Sequence, residues 1–172
     1  MAHEVHREQA KNTPVRCAIL TVSDTRTETT DVSGAFIREA LSDRGLSFAG
    51  YRIVPDEPTA IRDAIEALLE DAEAVLITGG TGISRRDTTF EVVDSLLDRR
   101  LPGFGEIFRM LSFQEIGPAA MLSRASAGVV KGRLVFSMPG STAAVRLAME
   151  ELILPDIQHL VWECVRQGAT HN

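Results

Sequence analysis

The chain of 172 residues has only two cysteines, and their positions exclude the sites that cysteine usually builds. Cys17 lies in an apolar run typical of a strand and Cys164 in a helical pattern, with no C-x-x-C spacing. Three of the four histidines fall in the polar ends of the chain, and His159 stands alone on a helix. A disulfide framework and a zinc site are therefore excluded, and both cysteines are expected to be buried free thiols.

An excess of positive charge is also missing. The 24 acidic residues outnumber the 18 basic ones, which gives a formal net charge of −6. This balance excludes a surface that coats nucleic acid. Any polyanionic ligand must therefore be met by a local arrangement of donors or by a metal ion.

Long apolar stretches are absent as well. No run reaches the roughly 18 residues that a membrane-spanning helix requires. The first residues, MAHEVHREQAKNTP, contain no apolar segment of the kind that a signal peptide needs. We therefore expect a cytoplasmic protein that does not interact with membranes.

The length predicts one domain, because 172 residues support a single hydrophobic core more readily than two. Residues 1–13 are polar and aperiodic, and we expect them to form a disordered N-terminal tail. The domain is expected to cover residues 14–168.

Apolar runs typical of strands alternate along the chain with segments at helical spacing: the runs cover 15–24, 46–54 and 74–78, and the helical segments cover 31–45, 59–73 and 88–98. This alternation is the pattern of β-α-β units and predicts an α/β fold, a mainly parallel sheet with helices on both faces. Two apolar runs within 127–141 are joined by Lys131-Gly132, which predicts a tight hairpin and at least one antiparallel strand. Residues 101–125 mix glycine and proline with short helical stretches, so we expect an irregular excursion there. Helical patterns follow at 142–150 and 152–167, the second interrupted at Pro155.

Polar residues follow four of the predicted strands, at the point where each strand ends. In an open parallel sheet such ends share one edge, and ligands bind in the crevice beside it. If the second arm of the hairpin runs parallel to the other strands, its end belongs to the same edge. The four groups of residues are Ser23 and Asp24; Asp56; Thr78, Gly79, Gly80, Thr81 and Gly82; and Pro139, Gly140 and Ser141.

The segment LITGGTGISRRDTTFE, residues 76–91, contains the richest of these groups. Its glycines allow positive φ and bring backbone N–H groups close to an anion. A tight connection between a strand and a helix explains the same glycines, and the pattern alone leaves both interpretations open. Ile83 stands where a Walker motif needs lysine, and Arg85 stands where a dinucleotide fingerprint needs glycine, so those two sites are excluded.

Asp56 and Asp87 are the carboxylates that we single out, because both lie in loops leaving the shared edge. Magnesium prefers one or two carboxylates together with phosphate oxygens, so the two residues suit a magnesium–nucleotide site. The alternative is structural: each aspartate precedes a predicted helix and would serve as its N-cap.

Five motifs in a fixed order give the chain a resemblance to a known family. AILTVSD, DVSG, LITGGTGISRRDTTFE, PGFGEIFRMLSFQEIGPAAMLSRASAG and SMPGS extend over roughly residues 15–155. Together they resemble the molybdenum cofactor biosynthesis protein B family and its relative, the molybdopterin adenylyltransferases. FGEIFRMLSFQEIG is more similar to the protein B branch. The resemblance implies the molybdopterin-binding fold, a three-layer α/β/α domain with a mainly parallel sheet and an antiparallel hairpin strand, assembled as a homotrimer or homohexamer.

The resemblance also implies a function. Molybdopterin would bind the TGGTG loop and the PGS turn, and its terminal phosphate would attack the α-phosphorus of ATP, releasing pyrophosphate. Asp56 would bind Mg²⁺ or steer the ATP phosphates, and Asp87 would hold the pterin or assist the metal. Ser23, Asp24 and Ser141 would orient the ligands through hydrogen bonds. The alternative is a protein of the same pathway that binds molybdopterin or its precursor without catalysis.

Overall fold

The computed structural model describes residues 10–169, with side chains through residue 164. Their strands are β1 (Arg16–Val22), β2 (Ser47–Val54), β3 (Ala74–Thr78), β4 (Arg99–Arg100), β5 (Ser126–Val130) and β6 (Arg133–Met138). The helices are α1 (Val32–Asp43), α2 (Pro58–Leu69), α3 (Thr89–Leu96), α4 (Pro102–Ile116), α5 (Thr142–Leu147) and α6 (Leu154–Ala169). A 3₁₀ segment covers Gly117–Leu122, and a π-helical turn covers Ala148–Ile153.

The strands form one sheet in the order β2-β1-β3-β6-β5-β4. Strands β2, β1, β3 and β6 are parallel, and β5 is antiparallel to both of its neighbours. Lys131 and Gly132 connect β5 to β6 with φ of 50° and 76°, the positive values that a two-residue hairpin turn requires. The predicted α/β fold, mainly parallel with an antiparallel hairpin strand, is confirmed.

Alternate side chains of the central strands enter two separate cores. Cys17 and Ile19 of β1 face α1, α4, α5 and α6, whereas Ala18 and Leu20 face α2 and α3. Both faces of the sheet are therefore covered, which explains why β1 and β3 are continuously apolar. The result is the three-layer α/β/α arrangement.

The prediction of an irregular excursion over 101–125 is wrong, because most of these residues form one long helix. Pro102 lies in the first turn of α4, where a missing N–H is tolerated. Gly105 packs against the chain before β5, and a Cβ there would lie 2.5 Å from the carbonyl oxygen of Ala125. Gly117, with φ of 64°, then ends the helix. The glycines and proline of this segment thus serve helix packing and termination.

The C-terminal helical region is also more continuous than expected. Helix α5, the π turn and α6 follow one another without a break from 142 to 169. The π turn ends two residues before Pro155, where the proline ring would clash with the carbonyl of Glu151 in a regular helix. The wider turn accommodates the proline and lets the helical region continue.

The N-terminal boundary of the domain stays a prediction. Residues 1–9 of the expected tail lie outside the described residues. Gln158 of α6 donates from Nε2 to the carbonyls of Lys11 at 2.9 Å and Thr13 at 3.3 Å. Across residues 10–169, no helix is long and apolar enough to cross a membrane.

Candidate functional site

The four polar strand ends meet at one edge of the sheet. Because β2, β1, β3 and β6 are adjacent and parallel, their carboxyl ends lie side by side. Backbone hydrogen bonds continue beyond the strands: Ser23 N donates to Val54 O at 2.9 Å, and Gly79 N donates to Met138 O at 3.1 Å. The structure therefore brings together the segments that the sequence singled out.

The glycine loop after β3 has no space for side chains at its centre. Gly80 has φ of 65°, and a Cβ there would lie 2.1 Å from Thr89 Oγ1 and 2.6 Å from Asp56 Oδ2. Gly79 has φ of 92°, and its Cβ would lie 2.3 Å from the carbonyl oxygen of Val22. Both positions thus require glycine because of conformation and close approach.

The same loop leaves backbone donors without protein partners. Within the described part of the chain, the N–H groups of residues 80–83 donate to no protein acceptor. Thr89 Oγ1 is buried beside Gly80 and likewise has no partner among residues 10–169. Several unpaired N–H groups in a short glycine-rich loop suit the binding of an anion.

Asp56 contacts the start of helix α3 and does not cap α2. Its Oδ1 accepts hydrogen bonds from Thr88 N at 3.0 Å and from Thr88 Oγ1 at 2.7 Å. Glu57 is the N-cap residue of α2 and makes no side-chain capping bond. The interpretation of Asp56 as the N-cap of α2 is therefore wrong. The Oδ2 atom of Asp56 accepts no hydrogen bond from residues 10–169.

Asp87 lies beside Gly82, in the segment that leads from the glycine loop to α3. Its Oδ2 accepts from Ser84 N at 2.9 Å, and a Cβ on Gly82 would lie 2.7 Å from the same oxygen. Thr88, not Asp87, is the N-cap residue of α3, so the structural alternative is wrong here too. Asp87 Oδ1 accepts no hydrogen bond from the residues that the structure describes.

The two aspartates suit Mg²⁺ only if a phosphorylated ligand supplies further oxygens. No group of three or more His, Cys, Asp or Glu residues in the described part of the chain suits a metal ion. Two carboxylates, each with a free oxygen, supply the number of protein ligands that Mg²⁺ takes when phosphate oxygens complete its shell. The residues therefore fit magnesium held together with a phosphorylated ligand.

The hydroxyls predicted to orient ligands are engaged in local structure. Ser23 Oγ accepts from Thr25 N at 3.2 Å and from Arg26 N at 3.1 Å. Ser141 Oγ accepts from Ala144 N at 3.3 Å and caps α5. Both residues shape the loops around the crevice.

Asp24 joins two other parts of the crevice. Its Oδ1 accepts from Asp56 N at 3.2 Å, and its Oδ2 accepts from Arg86 Nη2 at 2.7 Å. The turn after β6 packs close to the glycine loop, since a Cβ on Gly140 would lie 3.2 Å from Gly79 Cα. Thr78 and Thr81 are buried beside it.

Two cavities adjoin the glycine loop. One, of about 380 Å³, is lined by Gly79–Gly82, Pro139–Ser141 and the apolar side chains of Phe108, Ile116 and Leu122. The other, of about 450 Å³, lies toward α2 and α3 and contains Arg62, Arg85 and Arg124. Asp87 lines both cavities. The site thus has an apolar compartment and a cationic compartment with a shared carboxylate.

Arg124 is a residue that the sequence reasoning missed. Its Nε donates to Thr81 O at 3.1 Å, and its Nη2 donates to Asp87 O at 3.0 Å and also to Gly82 O. Its Nη1 pairs with Glu91, and the hydrogen bond from Arg124 lowers the pKa of that carboxyl. The only local signal is a single cation beside the apolar start of β5, in LSRASAG.

Comparison with known proteins shows the family to which the chain belongs. A family model described as a probable molybdopterin binding domain matches residues 18–159, which include every segment of the crevice.

Full-length relatives give the branch of the family. Molybdenum cofactor biosynthesis protein B of Halalkalibacterium halodurans is 54% identical over 169 residues, covering 96% of this chain and 99% of the relative. A crystal structure of a molybdenum cofactor biosynthesis protein B superposes with a TM-score of 0.86 at 51% identity, covering 89% of this chain and 97% of that one. The tungsten cofactor synthesizing protein MoaB from Pyrococcus furiosus gives a TM-score of 0.80 at 38% identity, with 88% and 97% covered. The chain therefore belongs to the molybdenum cofactor biosynthesis protein B family, as its motifs predicted.

Proposed function

We propose that this protein binds molybdopterin in the crevice and adenylylates it with ATP and Mg²⁺, releasing pyrophosphate. The family description and the names of the relatives support the pterin and the pathway. The observation that carries the chemistry is the pair Asp56 and Asp87, which flank a loop of unpaired N–H groups and each keep one carboxylate oxygen free.

The apolar compartment suits the pterin. Its lining combines apolar side chains from α4 and the 3₁₀ segment with the glycine loop and Pro139–Ser141. Aromatic and aliphatic side chains favour a planar ring, whereas the loop N–H groups favour the terminal phosphate. Ser123 Oγ, buried at this cavity and without a partner in the described part of the chain, is a further donor for the ligand.

The cationic compartment suits the phosphates of ATP. Arg62 and Arg85 line it, and Asp87 faces both compartments, so phosphates bound on the two sides would meet beside this carboxylate. An oxygen of the molybdopterin phosphate forms a bond to the α-phosphorus, and the bond from that phosphorus to the bridging oxygen of pyrophosphate breaks. Two anions must approach in line, so positioning and neutralisation of charge dominate the rate.

Asp56 and Asp87 would hold the Mg²⁺ that enters with the nucleotide. When bound, magnesium neutralises phosphate charge and restrains the phosphate oxygens. The protein's own part is to fix both carboxylates, since Thr88 and Ser84 each occupy one oxygen and leave the other free.

Pyrophosphate release from purified protein, ATP, Mg²⁺ and molybdopterin tests this proposal. Asp56→Asn retains an oxygen for Thr88 and replaces the free carboxylate oxygen by an uncharged NH₂ group, so we expect the rate to fall by about 10²–10³-fold in a folded protein. Asp87→Asn should behave alike. Asp94→Asn, which changes a half-buried carboxylate of α3 paired with Arg100, is the matched control and should keep the full rate.

Two results would contradict adenylylation. Full activity in both Asp56→Asn and Asp87→Asn would remove the carboxylates from the reaction. Tight molybdopterin binding by the unsubstituted protein without pyrophosphate release would replace the enzyme by a pterin-binding protein of the same pathway.

We also propose that the protein assembles as a homotrimer or homohexamer. Ile107, Met110 and Phe113 of α4 are exposed, as is Met121 in the 3₁₀ segment. Apolar surface of this extent on adjoining elements is typical of a subunit contact. Sedimentation at micromolar concentration tests the assembly, and a monomer would contradict it.

A further inference from the structure

We propose that Arg124 is the positioning residue of the crevice: one guanidinium fixes the orientation of the glycine loop and, through it, of Asp56. The inference rests on the proposed function, because the loop and Asp56 matter only if they hold ligands. Its basis is that Arg124 donates to three carbonyl groups of the loop, on Thr81, Gly82 and Asp87.

The planarity of the peptide group turns these bonds into a constraint on the loop donors. In a trans peptide the C=O and the following N–H point in opposite directions. With Arg124 bound to Thr81 O and Gly82 O, the N–H groups of Gly82 and Ile83 must point away from the guanidinium. These two N–H groups belong to the set that has no protein acceptor among residues 10–169. Arg124 therefore orients donors that the protein itself does not use.

The third carbonyl connects Arg124 to Asp56. Arg124 Nη2 binds Asp87 O at 3.0 Å, and the N–H at the other end of the same peptide unit, on Thr88, donates to Asp56 Oδ1 at 3.0 Å. A guanidinium and a carboxylate thus hold opposite ends of one planar group. Both donors to Asp56 Oδ1 belong to Thr88, so movement of the Asp87–Thr88 peptide would displace the amide donor and shift the residue that carries the hydroxyl donor.

Arginine suits this task, and its own placement is restrained. A guanidinium presents five donors in a planar fork, whereas the ammonium of lysine is a single point that cannot reach all of these acceptors together. Glu91 binds Nη1, and the guanidinium lies 5.0 Å from the ring centroid of Phe90. Arg109 of α4 donates to Ala125 O at 3.2 Å, which fixes the segment carrying Arg124.

Hydrogen–deuterium exchange of the ligand-free protein tests the inference without any turnover. The amides of Ser84, Asp87 and Thr89 are hydrogen bonded within the loop and that of Thr88 to Asp56, so their exchange reports opening of the loop. In Arg124→Lys we expect exchange over 84–89 to accelerate about 10-fold or more, while β3 amides stay protected. The matched control is Arg100→Lys, which also loses a paired guanidinium but contacts Asp94 and no loop carbonyl. Glu91→Gln, which retains Arg124 and removes its carboxylate partner, should give a smaller acceleration in the same segment.

Kinetics supply the second measurement. Loss of positioning should lower kcat for pyrophosphate release about 10²-fold in Arg124→Lys and change KM much less, because both ligands still have their compartments.

Unchanged exchange over 84–89 would overturn the inference even if the protein is a fully active adenylyltransferase. Loss of protection in β3 as well would also overturn it, because the role would then be general stability. Accelerated loop exchange in a protein that never adenylylates would support the positioning role and contradict the proposed function.

Discussion

The carboxylates at the two ends of the parallel sheet differ in their hydrogen bonding. At the amino end, Glu73 lies between Arg16 and Arg133 and accepts from Arg16 N at 2.8 Å, Arg16 Nη2 at 2.6 Å and Arg133 Nη1 at 3.2 Å. At the carboxyl end, Asp56 and Asp87 each keep one oxygen free beside a loop of unpaired N–H groups. The carboxylate at the amino end is fully paired within the protein, whereas the polar groups at the carboxyl end keep hydrogen-bonding capacity for a ligand.

This difference separates stability from function within one sheet. Burial raises the pKa of Glu73, but the side-chain and backbone hydrogen bonds from Arg16 and the charge of Arg133 outweigh it, so the pKa is lowered. Its charged form therefore stabilises the start of three strands. The free groups at the other end contribute no such bonds. Substitutions should accordingly affect binding at one end and stability at the other.

Gly80→Ala should have the largest effect. The new Cβ would meet Thr89 Oγ1 and Asp56 Oδ2 at a residue with positive φ, so the loop must move. We expect molybdopterin affinity to fall about 10²-fold and the free energy of unfolding to fall by about 1–3 kcal/mol. Calorimetric titration and urea denaturation measure the two effects.

Gly45→Ala provides the control for backbone strain. Gly45 has almost the same φ, 66°, but nothing lies within 4 Å of its Cβ position. Gly45→Ala should lower the free energy of unfolding by about 1 kcal/mol and leave molybdopterin affinity unchanged. Equal losses of affinity in the two variants would show that strain, and not contact with the crevice, explains the result.

Glu73→Gln should produce the opposite pattern. A neutral side chain weakens the bonds to both arginines, so we expect the free energy of unfolding to fall by about 1–2 kcal/mol with ligand affinity unchanged. Glu66→Gln, whose carboxylate is exposed and 3.9 Å from Lys131, should change stability by less than about 0.5 kcal/mol. A loss of affinity in Glu73→Gln would contradict the separation of the two ends.

The smallest effect should appear in the dependence of stability on pH. Because the pKa of Glu73 is lower in the folded state, the unfolded chain binds the proton first on acidification. The stabilisation is complete above the unfolded pKa of about 4.3 and is lost as the pH falls through the folded-state value. Urea denaturation should show a constant difference between the protein and Glu73→Gln from pH 7 to 5 that narrows toward pH 3. A difference that widens on acidification would contradict this assignment.

Local patterns were sufficient where neighbouring residues determine the structure. The apolar runs of β1 and β3 and the Lys131-Gly132 turn depend on sequence-local preferences, and each lies where it was predicted. The helix α4 was missed because Gly105 looks like a helix breaker, whereas its lack of a side chain admits the Ala125 carbonyl. That requirement involves a residue 20 positions away and leaves no periodic trace.

The candidate site shows the same division. Strand ends with glycines and carboxylates are visible in sequence, and the structure brings the four predicted segments to one edge of the sheet. The partners of Asp56 and Arg124 were not predictable, because Thr88 and the loop carbonyls lie 32 to 43 residues away along the chain. Neither a periodicity nor a motif indicates which distant peptide a guanidinium will meet.

Because β6 lies between β3 and β5, one side of β3 can be paired only late in the synthesis of the chain. During synthesis the chain emerges from its N-terminus, and β3 has no neighbour on one side until Arg133–Met138 has been made. Pro139–Ser141, the fourth wall of the crevice, follows directly. We therefore expect a nascent chain to pass through more than three quarters of its length with an unpaired edge at β3 and no capacity to capture ligand. Once the hairpin closes, the exposed edge disappears and the crevice is completed in the same event.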